Sequence, residues 1–159
     1  MLLISYGKFP RLNNMGSYSP KVIEHFQNPH NYGKIDKADG IGEVGNIVCG
    51  DVMHLYIKVK DDVIKDVKYE TFGCAAAIAT SSVVTDLAKG KKISEALKMT
   101  NASILKELGG LPPIKVHCSL LAVDALNEAI YDYYKKIKKP IPQFLEEKHK
   151  TILKQHSHH

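Results

Sequence analysis

Val52-Met53-His54-Leu55-Tyr56-Ile57-Lys58-Val59-Lys60 alternates without a break, with Met53, Leu55, Ile57 and Val59 on one side and His54, Tyr56, Lys58 and Lys60 on the other. A period of two marks a strand with one buried face. After Asp61-Asp62 the alternation resumes, Val67, Tyr69 and Thr71 against Asp66, Lys68 and Glu70. The stretch therefore reads as an antiparallel hairpin.

Helical signals flank it. Upstream, Ser19-Pro20 supplies a capping residue and a first-turn proline for a short helix carrying Val22, Ile23 and Phe26, which Asn28-Pro29 ends. Downstream, Ile78, Ala79, Val83, Val84 and Leu87 recur at helical spacing over 75–89, and Gly90 is the stop signal. Shorter helices are expected at 93–99 and 101–108. Leu111-Pro112-Pro113 breaks the pattern, and a long helix is expected from about Cys118 to Lys138, with Leu121, Ala125, Ala129, Tyr133 and Ile137 on one stripe. Pro140 and Pro142 precede a last, basic helix. The sum is an α+β fold: a small antiparallel sheet of about three strands with helices packed on one face.

Residues 1–17 show no period and hold an internal Met15-Gly16-Ser17, so they read as an extension or leader. One domain over 18–139 follows, then a basic C-terminal helix and histidine-containing tail at 140–159. At 159 residues and 44% hydrophobic, the chain suits a single core. Its apolar runs fall far short of the roughly 20 residues a membrane-spanning helix needs. A soluble protein with no membrane partner is expected. The net charge of +5 comes from lysines 135, 136, 138, 139, 148, 150 and 154, a terminal excess facing only Glu146 and Glu147. No aromatic residues are interleaved with them, so a solvated face is the better reading and nucleic acid is excluded as a partner.

The three cysteines are an odd number without a secretory signal, which argues for reduced thiols and a cytoplasmic location. Cys49 lies in Val48-Cys49-Gly50-Asp51, before the first strand; Cys74 follows Phe72-Gly73, where the second strand gives way to a helix. With the turn at Asp61-Asp62, the two face each other at one end of the sheet, and a slip of one or two residues still leaves them neighbours. Cys118 opens the long helix. Cys74 and Cys118 thus sit at helix N-termini, which favour thiolates, and Lys115 adds positive charge. A single cysteine is ordinarily a buried packing residue, but three at element ends, two beside glycine and two near Asp51 or His117, point to one site. His25, His30 and His54 lack such company and read as surface or packing residues.

No Cys-x-x-Cys pair is present, so the fold must assemble the site. Three thiolates leave one position of a four-ligand centre for Asp51 or His117, and an oxygen or nitrogen donor there holds iron less firmly than sulfur. Such lability suits a protein that hands a cluster on. Two rivals are a thiol enzyme with His117 activating Cys118, and a structural zinc module. The first is weakened because adjacent residues on a helix diverge; the second would unfold cooperatively on chelation.

Cys49-Gly50-Asp51, Thr71-Phe72-Gly73-Cys74 and Leu111-Pro112-Pro113-Ile114-Lys115-Val116-His117-Cys118-Ser119 together resemble the IscU family of iron-sulfur cluster scaffolds, which is similar to the N-terminal domain of NifU. The resemblance spans residues 19 to about 138. It implies a non-enzymatic scaffold on which a [2Fe-2S] cluster is assembled from iron and persulfide sulfur, then passed to apo iron-sulfur proteins. It also implies Cys49, Cys74 and Cys118 as ligands, with Asp51 and His117 as the remaining site residues and Asp51 promoting assembly or release. Cys118 or a neighbouring thiol would accept sulfur from a cysteine desulfurase, and zinc would occupy the same site in isolated protein. Leu111, Pro112, Pro113, Ile114 and Lys115 match the segment bound in many members by a dedicated Hsc-type chaperone and co-chaperone, with isoleucine for the usual valine at the fourth position. Ala75 and Ala76 stand where Gly-Ser is more common. His117 and the compact spacing favour this branch over the related SufU branch, and a homo-oligomer is compatible with it.

Overall fold

The computed structural model describes residues 18–46 and 50–156. Expectations for residues 1–17, for Cys49 and for the last three residues lie outside the described part. Helix α1 (Pro20–Gln27) starts as its sequence demands: the Ser19 hydroxyl accepts the Val22 N–H at 3.2 Å, and Pro20 occupies the first turn. Three strands follow, β1 (Gly40–Asn46), β2 (Asp51–Lys60) and β3 (Val63–Phe72), paired antiparallel in that order. Helices α2 (Ala75–Ala88), α3 (Ile93–Ala96) and α4 (Asn101–Leu108) come next. A 3-10 turn (Pro113–Lys115) then leads into α5 (Val116–Lys136), and α6 (Gln143–His156) closes the chain.

The inner face of the sheet is the one the alternation marks. Met53, Leu55, Ile57, Ile64, Val67 and Tyr69 are fully buried against α2 and α5, which lie over this face. Two-residue turns between antiparallel strands need left-handed backbone. Asp61 and Asp62 supply it at φ 54° and 64°. The register differs from an unbroken hairpin in one respect. Lys60 pairs with Val63 and Val59 with Ile64, but a bulge then shifts the ladder, so Lys58 faces Asp66 and Val52 faces Phe72 rather than Thr71.

The third strand is β1, which the sequence pattern leaves unplaced. Its inward positions are held largely by glycine, because α5 presses directly on it. A Cβ at Gly42 would lie 2.1 Å from the Ala125 carbonyl oxygen, and one at Gly40 would lie 2.2 Å from that of Ala129. Glycine gives a strand no apolar alternation to read, yet it permits this close approach.

Helix α2 is buried around most of its girth, not only on the expected stripe. Ala76, Ala77, Ala79, Thr80, Ser81 and Ser82 are all buried. Its hydroxyls are satisfied locally, Ser81 donating to the Ala77 carbonyl at 2.7 Å and Thr80 to the same oxygen at 3.1 Å. Helix α5 begins two residues before Cys118, so that cysteine sits inside the first turn. Helix α6 packs on α5 through buried Leu145 and Ile152.

Candidate functional site

Four of the five candidate ligands converge where the sheet gives way to helices. Cys74 is the N-terminal cap of α2 and Cys118 lies in the first turn of α5; their Sγ atoms are 3.5 Å apart. Cys118 Sγ also lies 3.6 Å from Asp51 Oδ2 and 3.6 Å from His117 Nε2. Asp51 is the first residue of β2 and is 3% exposed. Gly73 makes room for it: a Cβ there would stand 2.8 Å from Asp51 Oδ1. Cys49, two positions before Asp51, lies outside the described residues.

Two sulfurs bound to one tetrahedral metal at about 2.3 Å are held roughly 3.8 Å apart. The Cys74–Cys118 separation of 3.5 Å meets that requirement with almost no motion. Donor atoms of Asp51, His117 and Cys118 all lie within 4.8 Å of one another. Sulfur, imidazole and carboxylate donors therefore surround one metal-sized space.

The electrostatics divide the two thiols. A hydrogen bond from Cys118 stabilises the Cys74 thiolate and pulls its pKa down to about 6, helped by backbone donation from Ala77 and by Lys115 against the cost of burial. Cys118 moves the other way: it gives its proton to that hydrogen bond, is buried, and faces negative charge at Cys74 and Asp51. The expectation that both helix N-termini activate their thiols is thus corrected. Two anions this close to each other and to a carboxylate are disfavoured, whatever the dipole contributes.

A second correction concerns His117. Neighbours on a helix were expected to diverge, yet the imidazole is long enough to bring Nε2 to the Cys118 sulfur. Their contact does not make a nucleophile, because the Cys118 proton is held more tightly than in a free thiol.

Tyr18 is the neighbour that sequence reading missed. It packs with Cys74 and Leu111 on a small cluster of Ala76, Ala77 and Cys118, and burial together with charge at Cys74 raises its pKa. It precedes the first capping signal, and no pattern distinguishes it from the leader. His25, His30 and His54 lie outside this site, as expected; the first two nevertheless have close company, described below.

An open three-stranded sheet with a thiol, carboxylate and imidazole cluster at its helix junctions defines a metal- or cluster-handling class of protein. Residues 17–140 match the family of NifU-like N-terminal domains, and the chain belongs to that family. It is 64% identical over 119 residues to iron-sulfur cluster assembly scaffold protein IscU 1 of Archaeoglobus fulgidus, covering 75% of this chain and 78% of that protein. With the IscU scaffold protein of Haemophilus influenzae it shares 52% identity over 124 residues, 76% of this chain and 98% of the relative. Among solved structures, a protein described as an iron-sulfur cluster assembly scaffold for the SUF system, from Fervidobacterium islandicum AW-1, superposes with a TM-score of 0.62 at 30% identity, over 71% of this chain and 96% of that one.

Proposed function

We propose that this chain is a scaffold on which an iron-sulfur cluster, of the [2Fe-2S] type, is built from iron and persulfide sulfur, the sulfane sulfur being reduced to sulfide by an external electron donor, and then passed to apo-proteins. The observation that carries the reading is the gathering of Cys74, Asp51 and His117 around the Cys118 sulfur at bonding distances for one inorganic centre. Cys49 is the expected third thiolate, supported by its place two residues before Asp51. The cluster is cargo. Mixed donors favour its release, since a carboxylate or imidazole holds iron less firmly than a fourth thiolate would. Zinc suits the same tetrahedral donor set and is a competing occupant.

Sulfur would come from a cysteine desulfurase. Cys74, the thiol with the lowered pKa and partial exposure, is the better first acceptor in the metal-free protein, and buried Cys118 would follow once a metal displaces its proton. Exposed apolar groups flank the site: Phe72 is 78% and Ile114 is 76% exposed. They are offered to protein partners, Ile114 within the Leu111–Lys115 segment that we assign to a chaperone. Among the described residues no helix is long and apolar enough to cross a membrane.

Anaerobic reconstitution with ferric iron and sulfide tests the reading. It is expected to give a red-brown protein with visible sulfide-to-iron absorption and equal amounts of iron and sulfide. Absence of that absorption overturns the proposal, and so does a cluster that forms undiminished in each of Cys49→Ser, Cys74→Ser and Cys118→Ser.

A further inference from the structure

Far from the thiols, three polar side chains meet at the other end of α2. His25 lies near the end of α1, His30 in the loop beyond it and Asp86 in the last turns of α2. One donor atom from each lies within 4.8 Å of the other two. His30 Nδ1 is 2.5 Å from Asp86 Oδ2, His25 Nδ1 shares a hydrogen bond of 2.8 Å with Ser82 Oγ, and the two rings are 4.8 Å apart between centroids.

The frame around them is fixed. The His30 N–H donates to Ser82 Oγ at 2.9 Å. Asn31, in left-handed backbone at φ 60°, donates from Nδ2 to Thr85 Oγ1 at 3.1 Å and to Asp86 Oδ1 at 2.9 Å. Its carbonyl accepts the Tyr69 N–H at 3.1 Å, which ties the loop to β3. The donors are therefore held by four elements, with one side open to solvent.

We propose that His25, His30 and Asp86 form a second metal site, binding one divalent first-row cation of the kind that prefers imidazole. An ion pair with Asp86 would need only one imidazole. The second ring, set against the first, repels it when both are protonated and gains when a metal ion shared by both replaces those protons. Glu24 and Glu107 add negative field at His25, a balance that suits a cation. Two nitrogens and one oxygen favour zinc, nickel or copper over magnesium or calcium.

Tetrahedral donors at about 2.1 Å from a metal stand roughly 3.4 Å apart. The widest pair, within 4.8 Å, closes by small side-chain rotations while the His30–Asp86 contact opens. Water completes the shell. At 1.5 Å per residue, α2 places this site about 18 Å from Cys74, so its occupancy is independent of the cluster reading. A bound ion would clamp α1 and its loop onto α2.

The test uses the full chain with Cys49→Ser, Cys74→Ser and Cys118→Ser, which removes the competing thiolates. Zn(II) is titrated at pH 7.5 while the ring nitrogens of each histidine are followed by NMR. The expected result is that His25 and His30 shift together and saturate at one equivalent, and that adding Asp86→Asn weakens this binding at least about tenfold while the His117 response is unchanged. Should the serine variant fold poorly, the wild-type chain preloaded with its first equivalent of Zn(II) gives the same readout on the second. Zinc captured only by His117 or the terminal histidines, with His25 and His30 unmoved, overturns the proposal. Equal affinity in Asp86→Asn overturns it too.

Discussion

Cys74 Sγ and Cys118 Sγ stand 3.5 Å apart with opposite proton affinities, one thiol serving as the hydrogen-bond donor that keeps the other ionised. The pair is poised between two states. Without metal it is a thiolate and a thiol; with metal, both sulfurs are anionic and the proton has left.

This asymmetry sets the alkylation pattern. A lowered pKa means that Cys74 is largely thiolate above about pH 6, so in metal-free protein at pH 7 iodoacetamide is expected to modify Cys74 well ahead of Cys118. The rate at Cys74 should fall as the pH drops through about 6. Cys118→Ala removes the donor, and the reaction midpoint at Cys74 should rise toward that of an ordinary thiol. Peptide mapping by mass spectrometry follows both; faster labelling at Cys118 would contradict the assignment.

Gly73 connects backbone to site. Alanine there puts a methyl 2.8 Å from Asp51 Oδ1 and 3.0 Å from the Ala77 Cβ. The carboxylate end is the part that can give way, so Gly73→Ala is expected to displace Asp51 while the fold persists. Zinc affinity should fall about tenfold or more by competition with a chromophoric chelator, with far-ultraviolet circular dichroism unchanged.

Metal removal separates a scaffold from a structural zinc module. The main core, from Val22 through Met53, Leu55 and Ile57 to Leu126 and Ile130, forms without the thiols, while Cys118 belongs to a small separate cluster. Chelator-treated protein should keep its helical circular dichroism and melt cooperatively. Added Zn(II) should raise its melting temperature by mass action. Cooperative loss of helix on chelation alone would contradict this.

The close approach of β1 and α5 leaves no tolerance for a side chain. A methyl at Gly42 meets the Ala125 carbonyl at 2.1 Å and the Ala129 backbone nitrogen at 2.6 Å, both fixed within a helix. Gly42→Ala is expected to cost about 3 kcal/mol, a fall of roughly 6–12 °C in Tm for a chain of this size. Differential scanning calorimetry measures it.

That same contact explains what sequence reading could and could not reach. β2 and β3 were legible because Met53, Leu55, Ile57, Val67 and Tyr69 alternate inward; β1 was not, because Gly40 and Gly42 do the inward work without side chains. The bulge that moves Val52 opposite Phe72 has no sequence mark, and it matters little, since convergence at the sheet end tolerates one residue of slip. Cys74, Asp51 and His117 were legible as candidates through their places at element ends. The division of protons between Cys74 and Cys118 was not, because it depends on a 3.5 Å contact between residues far apart in the chain. The same holds for His25, His30 and Asp86, brought together only by the packing of α1 on α2.

Asp124 gives the α5–α6 contact a pH dependence. It is 7% exposed, Lys148 Nζ lies 3.5 Å from its Oδ1, and burial raises its pKa more than that lysine lowers it. A carboxyl whose pKa is higher in the folded state than in the unfolded one binds its proton more tightly when folded. Its contribution is therefore favourable at low pH and is lost as the pH rises through the folded pKa, leaving a buried charge at neutrality. Asparagine keeps the shape without that charge and gives up only a partly exposed lysine's pairing, a small loss. Asp124→Asn should thus raise Tm by a few degrees at pH 7, and the gain over wild type should shrink as the pH falls through the raised folded pKa toward the ordinary carboxylate range. Thermal melts of both proteins across that range decide it: a variant that is less stable at pH 7 would show that the pairing with Lys148 outweighs the cost of burial.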